Sequence, residues 1–95
     1  MAFSYSNNNL SNLFTNNWIT DPNTCTSSFS VVNGWSPDIS NVPDNAKNVW
    51  SGLQTIWIFP VETGNLKGTR IQILITANSI VHTRMYESGK FSNWS

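Results

Sequence analysis

The clearest pattern along the chain is the strict alternation of "RIQILIT" at residues 70–76, which sets Ile71, Ile73 and Ile75 against Arg70, Gln72 and Leu74. A period of two is the mark of a β-strand with two unlike faces. Residues 80–87, "IVHTRMYE", alternate again, with Val81, Thr83 and Met85 opposed to Ile80, His82, Arg84 and Tyr86. Upstream, "LQTIWIFPVET" at 53–63 mixes β-branched and aromatic residues and runs into "GNLKGT", whose glycines suit a loop. Pro60 has no N–H for a ladder, so this strand is expected at a sheet edge there, or bulged. After 80–87, "SGK" turns the chain into a last short strand carrying Phe91 and Trp94. Three successive hairpins predict an antiparallel meander.

The first half is more polar, and composition changes near residue 50. "NLSNLFTNNWIT" places Leu10, Leu13, Phe14 and Trp18 at helical spacing, with Asn9 or Ser11 able to cap, which predicts a short helical segment. "SSFSVVNGWS" at 27–36 reads as a β-branched strand closed by Asn33-Gly34, a strong turn or hairpin signal. Residues 36–48, "SPDISNVPDNAKN", carry prolines and Asx residues and read as an ordered loop. The expected fold is mainly β, with a small α+β fold as the variant: a single antiparallel β-sheet meander with a short N-terminal helical segment. Residues 1–17 form an N-terminal segment, helical or an attachment arm, and 18–95 the β domain.

The 95 residues allow one compact domain. The formal net charge of zero, with 11% charged residues, lacks the footprint of a nucleic-acid or anionic-membrane binder, so neither partner is expected. Cys25 is the single cysteine, which leaves no disulfide framework and no cysteine-based zinc site, and it reads as a half-buried apolar residue. "MAFSYSNNNL" has neither a basic nor an apolar signal region, and "IWIFPV" is too short to cross a bilayer. A soluble protein made in the cytoplasm is expected.

Catalytic patterning is sparse. The one histidine, His82, stands in a strand without a nucleophile or an orienting partner in view, and reads as a half-exposed strand residue. Asp21, Asp38, Asp44, Glu62 and Glu87 are scattered, whereas sugar hydrolysis needs two carboxylates facing across a cleft. Asp38, Asn41, Asp44, Asn45 and Asn48 could offer oxygens to calcium, but turn capping explains them better. We therefore expect no enzyme, no catalytic residue, no metal and no cofactor. The unusual feature is five tryptophans, of which Trp35, Trp50 and Trp94 sit among Ser, Asn and Gly. Trp57 and Phe59 read as core. Aromatic faces with nearby amides suit glycan binding, and equally suit packing between copies.

The segment order "SSFSVVNG", "ISNVPDN", "SGLQTIWIF", "GTRIQILIT" and "IVHTRMYESGKFSNW" resembles the pyocin-knob type of domain found in bacteriophage tail fibres and R-type pyocin fibres. The matching positions are Phe29, Asn41, Pro43, Gly52, Gln72, Arg84, Gly89, Ser92 and Trp94, over roughly residues 18–95. Phe91 replaces the first tryptophan of the family's Trp-Ser-x-Trp ending, and Ser28 stands where a glycine is usual. The resemblance implies a non-enzymatic virion module of a tail fibre or baseplate adsorption apparatus, commonly trimeric, that binds a host cell-surface polysaccharide and contacts other tail or baseplate proteins. A structural module for trimerisation or docking is the alternative, and a small cell-wall hydrolase a more distant one. It also implies a stripe of Gln72, Arg84 and Tyr86 on one sheet face, read as structural ahead of ligand-binding. For a glycan the candidates are Trp35 and Trp50 as stacking platforms, with Asp38, Asn41, Gln72, Arg84 and Tyr86 as polar partners; Trp94 reads as a closing residue. The edge at Pro60 and the tryptophan-rich surface favour oligomerisation.

Overall fold

The computed structural model describes residues 18–59 and 63–95. Six strands form one sheet in chain order: β1 (Trp18–Ile19), β2 (Phe29–Asn33), β3 (Trp50–Phe59), β4 (Thr69–Thr76), β5 (Val81–Glu87) and β6 (Lys90–Phe91). From β2 to β6 every neighbour is antiparallel, and the three expected hairpins join β3 to β6. The β5–β6 turn is Ser88-Gly89, both at positive φ (53° and 84°), the type I′ geometry that follows strand twist.

Three expectations are corrected. Trp18 belongs to a strand, not a helix, and β1 runs parallel to β2, so the sheet is mixed and not purely antiparallel. Parallel pairing requires a crossover. Residues 20–28 supply it through a 3₁₀ turn at Pro22–Thr24, capped by the Asp21 carboxylate accepting from Asn23 N–H at 2.9 Å. Leu10, Leu13, Phe14 and the rest of the expected helical segment lie outside the described residues. Asn33-Gly34 makes the expected turn, though not a two-residue hairpin: it leads β2 into a loop spanning 34–49, held where Gly34 N–H donates to Val49 O and Asn48 N–H to Gly34 O. Phe59, expected in the core, is 42% exposed.

Pro60 itself is outside the described residues, but the strand before it carries a register irregularity between Trp57 and Phe59. β3 is an interior strand only as far as Gln54, where its pairing with Phe29 of β2 ends. One further bond follows on that flank, from Thr55 N–H to Ser28 O at 2.9 Å.

The two sheet faces differ in an unusual way. One is covered by the 20–28 crossover, the 34–49 loop and residues 92–95. There Val32, Leu53 and Leu74 pack with Cys25 and Ala46 from the loops, flanked by Ile19, Ile39, Val42 and Trp94. The same covered side buries Ser30, Ser51, Thr55, Gln72, Arg70 and Arg84. The other face is mostly apolar and, among the described residues, only partly covered. Its cross-strand rows are Trp18, Val31, Gly52, Ile75 and Val81; then Phe29, Gln54, Ile73 and Thr83; then Ile56, Ile71 and Met85. Ile75 is 49% and Val81 57% exposed. The isoleucine side of "RIQILIT" thus faces outward, and the Arg/Gln side inward.

Candidate functional site

The inward side of β4 and β5 holds two arginines among aromatic rings. Arg70 is paired with Tyr86 and Gln72 with Arg84 in the β4–β5 register, so strand alternation alone puts all four on one face. The expected Gln72, Arg84 and Tyr86 stripe is therefore present. Arg84 Nε donates to Gln72 Oε1 at 2.8 Å, and Gln72 Nε2 donates to Pro22 O at 2.9 Å, which ties the crossover to the sheet centre. Gln72 is fully buried, so it serves the fold and not a ligand.

The guanidinium planes alternate with rings. Arg84 lies 3.7 Å from the Phe91 centroid and 4.3 Å from that of Trp94. Arg70 lies 4.1 Å from Tyr86, 4.9 Å from Trp57 and 5.2 Å from Phe91. Each ring presents its negative face to a cation that has lost much of its water, the arrangement in which such contacts are strongest. Burial pushes the Arg84 guanidinium down to about 10; the nearby Asp21 carboxylate opposes this and Arg70 adds to it. Arg84 remains charged at neutral pH, but among the described residues its Nη2 has no hydrogen-bond partner, nor has Nε of Arg70.

Residues 92–95 lie along β5 and close the stack. Ser92 N–H donates to Met85 O at 2.8 Å while its Oγ accepts from Met85 N–H at 3.0 Å. Ser95 repeats the pattern on Thr83, at 2.9 and 3.1 Å. Between them Trp94 Nε1–H donates to Asn41 O at 2.9 Å. Asn41 adopts φ 58°, a left-handed conformation that asparagine tolerates, and its Nδ2 donates to Asp21 Oδ1 at 2.8 Å. His82 joins the same end: its imidazole hydrogen-bonds Ser95 O at 2.7 Å and the Asn45 side-chain amide at 2.6 Å.

A groove of about 640 Å³ remains between the β5–β6 hairpin, residues 92–94 and the Asn41 turn. It brings together three of the seven expected ligand residues, Asn41, Arg84 and Tyr86, with Lys90, Phe91 and Trp94. The other candidates are elsewhere. Trp50 is 37% exposed and pairs with Trp18, ring centroids 5.0 Å apart, at the β1–β3 end of the sheet. Trp35 is 62% exposed on the 34–49 loop, where its N–H donates to Asn33 Oδ1, and Asp38 is exposed on the same loop. The Asx residues considered for calcium are used in turns: Asn48 has φ 63°, and Asp44 accepts Lys47 N–H through its carbonyl while its carboxylate meets Lys47 Nζ at 3.4 Å. Among the described residues no three His, Cys, Asp or Glu side chains converge.

Sequence reasoning had not assigned Arg70 to the stack or Lys67 and Lys90 to the groove region. Arg70 was readable, since it shares its face with Gln72 and its strand adjoins that of Tyr86. Compared with known proteins, the chain matches no protein-family model, no curated protein and no solved structure.

Proposed function

We propose that the chain is a non-enzymatic module of a phage-type tail fibre or baseplate appendage, whose task is to associate with copies of itself, as a trimer, through the partly covered, mostly apolar sheet face. The observation that carries this reading is the uncharged surface formed by Phe29, Ile56, Ile71, Ile73, Ile75 and Val81, with Ile58 exposed next to it at the β3 irregularity. Its exposed members with Trp18 offer roughly 600 Å² of apolar area, the upper end for a lone monomer and close to the ~800 Å² each partner contributes to a stable interface. The zero net charge opposes no close approach of copies. Assignment to a virion rests on the resemblance of the segment order to the pyocin-knob type of domain.

Sedimentation of the purified chain from about 1 to 100 μM tests it. A trimer, or a monomer–trimer equilibrium, is expected. A folded monomer at every concentration overturns it.

Recognition of a host-surface glycan is the second reading, favoured by the exposure of Trp35 and of the Trp18–Trp50 pair. A glycan array with the folded protein tests this separately, and no bound glycan counts against it.

A further inference from the structure

Two shallow cavities run side by side across the tip of the β5–β6 hairpin. The first is the 640 Å³ groove with Arg84 and Lys90 in its lining. The second, about 370 Å³, is lined by Asn65 and Lys67 on one side and Ser88 on the other. Tyr86 and Gly89 line both, so the two adjoin at the hairpin and make a two-part channel.

The channel has an uneven chemistry. Three of the chain's five cationic residues line it, and among the described residues no carboxylate does. Asp21 approaches Arg84 from beside the groove, but its Oδ1 already accepts Asn23 N–H and the Asn41 amide. Glu87 is the cross-strand neighbour of Lys90 on the hairpin. Arg84, only 7% exposed, lines the groove and its Nη2 has no hydrogen-bond partner among the described residues, a buried donor left unsatisfied at a cost in free energy. The amides of Asn41 and Asn65 and the Tyr86 phenol surround these charges with uncharged hydrogen-bonding groups.

We propose that this channel holds a strand of anionic polysaccharide, with one acidic group seated at Arg84, the next charges met by Lys90 and Lys67, and hydroxyls bonded by Asn41, Asn65 and Tyr86. This rests on the glycan-recognition reading and puts its site at the hairpin tip in place of Trp35 and Trp50. Separate cations spaced along a groove suit a polymer whose charges recur at intervals; one small anion would engage only one of them. The observations disfavour nucleic acid. The Phe91 and Trp94 faces on which bases would stack are taken up by Arg84, and the chain carries no net positive charge. A carboxylate on a uronic acid and a phosphate on a polyol chain present the same chemistry to the channel.

The test is fluorescence anisotropy of labelled oligogalacturonate and of a labelled polyol-phosphate oligomer, with a neutral dextran fragment and a single-stranded DNA oligomer alongside. Binding of at least one acidic polymer is expected, tighter than dextran and DNA and weakened about tenfold or more by raising salt from 50 to 500 mM. Which acidic polymer binds names the charged group, and either supports the channel. The double variant Lys67→Glu/Lys90→Glu changes two exposed side chains, so it should keep the thermal transition while lowering affinity about tenfold or more. Equal binding of dextran, tighter binding of DNA, or undiminished affinity in the double variant overturns the proposal. Neutral-glycan binding that is lost in Trp35→Ala, with no acidic binding, overturns the channel but leaves glycan recognition standing. No binding of any glycan overturns both.

Discussion

At Gly34 the backbone passes so close to the carbonyls of Ala46 and Val49 that a Cβ would overlap both oxygens, although its φ is one that any residue adopts. The glycine is required by that close approach alone, since the 34–49 loop can only fold back if nothing stands between the two backbones. Both neighbours are main-chain atoms with little room to give. Gly34→Ala should therefore cost about 3 kcal/mol or more, read as a fall in the urea midpoint at unchanged slope, and a midpoint within error of the parent would refute the account. Arg84 offers a second test. Its planar group is held between Phe91 and Trp94 while Nε serves Gln72, and a lysine can do neither well. Arg84→Lys keeps the charge yet leaves Gln72 Oε1 without its donor, so a loss of about 1–3 kcal/mol is expected from the same denaturation curve. An unchanged midpoint would mean that charge alone, and not shape, is what the stack requires.

Among the elements, the closing segment decides most for its length. Ser92 and Ser95 each donate and accept on one residue of β5, which gives that strand a partner where β6 has ended. Trp94 then locks the 34–49 loop to the sheet through Asn41. Removing residues 91–95 strips Arg84 of both its rings and β5 of these bonds, so we expect the truncated chain to lose its cooperative thermal transition; retention of that transition would refute this. Ser92→Ala/Ser95→Ala is gentler and should cost about 1–3 kcal/mol, because Met85 and Thr83 N–H groups near the edge can turn to water. The strands and hairpins were legible because a period of two and turn residues act locally, and the Gln72, Arg84 and Tyr86 stripe followed from alternation. The parallel β1 was not legible. Two residues carry too little pattern to outweigh the helical spacing of Leu10, Leu13, Phe14 and Trp18, and their pairing depends on a crossover anchored fifty residues away at Gln72. The groove was legible only in part, since Asn41 reaches Arg84 and Tyr86 through loop packing that no local rule encodes.

For the whole molecule the decisive fact is which face of the sheet the loops cover. Alternation says that Ile71, Ile73 and Ile75 lie together, and hydrophobicity alone would bury them. The described residues instead cover the side that carries Arg70, Gln72 and Arg84, most of whose polar groups find partners in the loops and in the rings, and leave Ile71 and Ile73 half-buried and Ile75 exposed. Among the described residues nothing further covers the other face, and a second copy is the occupant proposed for it. The consequence for mutation is a sign that differs from an ordinary core. Ile73 sits at the centre of the open face, flanked in its row by Gln54 and Thr83, and a charge there meets water in a monomer but apolar surface in an assembly. Ile73 is half-buried in a central strand, so Ile73→Glu should cost the monomer about 1–2 kcal/mol, while a charge buried without a partner in each copy disfavours association by several kcal/mol. The parent's thermal midpoint should accordingly rise with protein concentration, and that of Ile73→Glu should be lower and independent of concentration. Both follow from scanning calorimetry at about 5 and 100 μM beside sedimentation of the same samples. If Ile73→Glu unfolds outright as a dilute monomer, the face is core and not interface; if its concentration dependence matches the parent's, copies meet by some other surface.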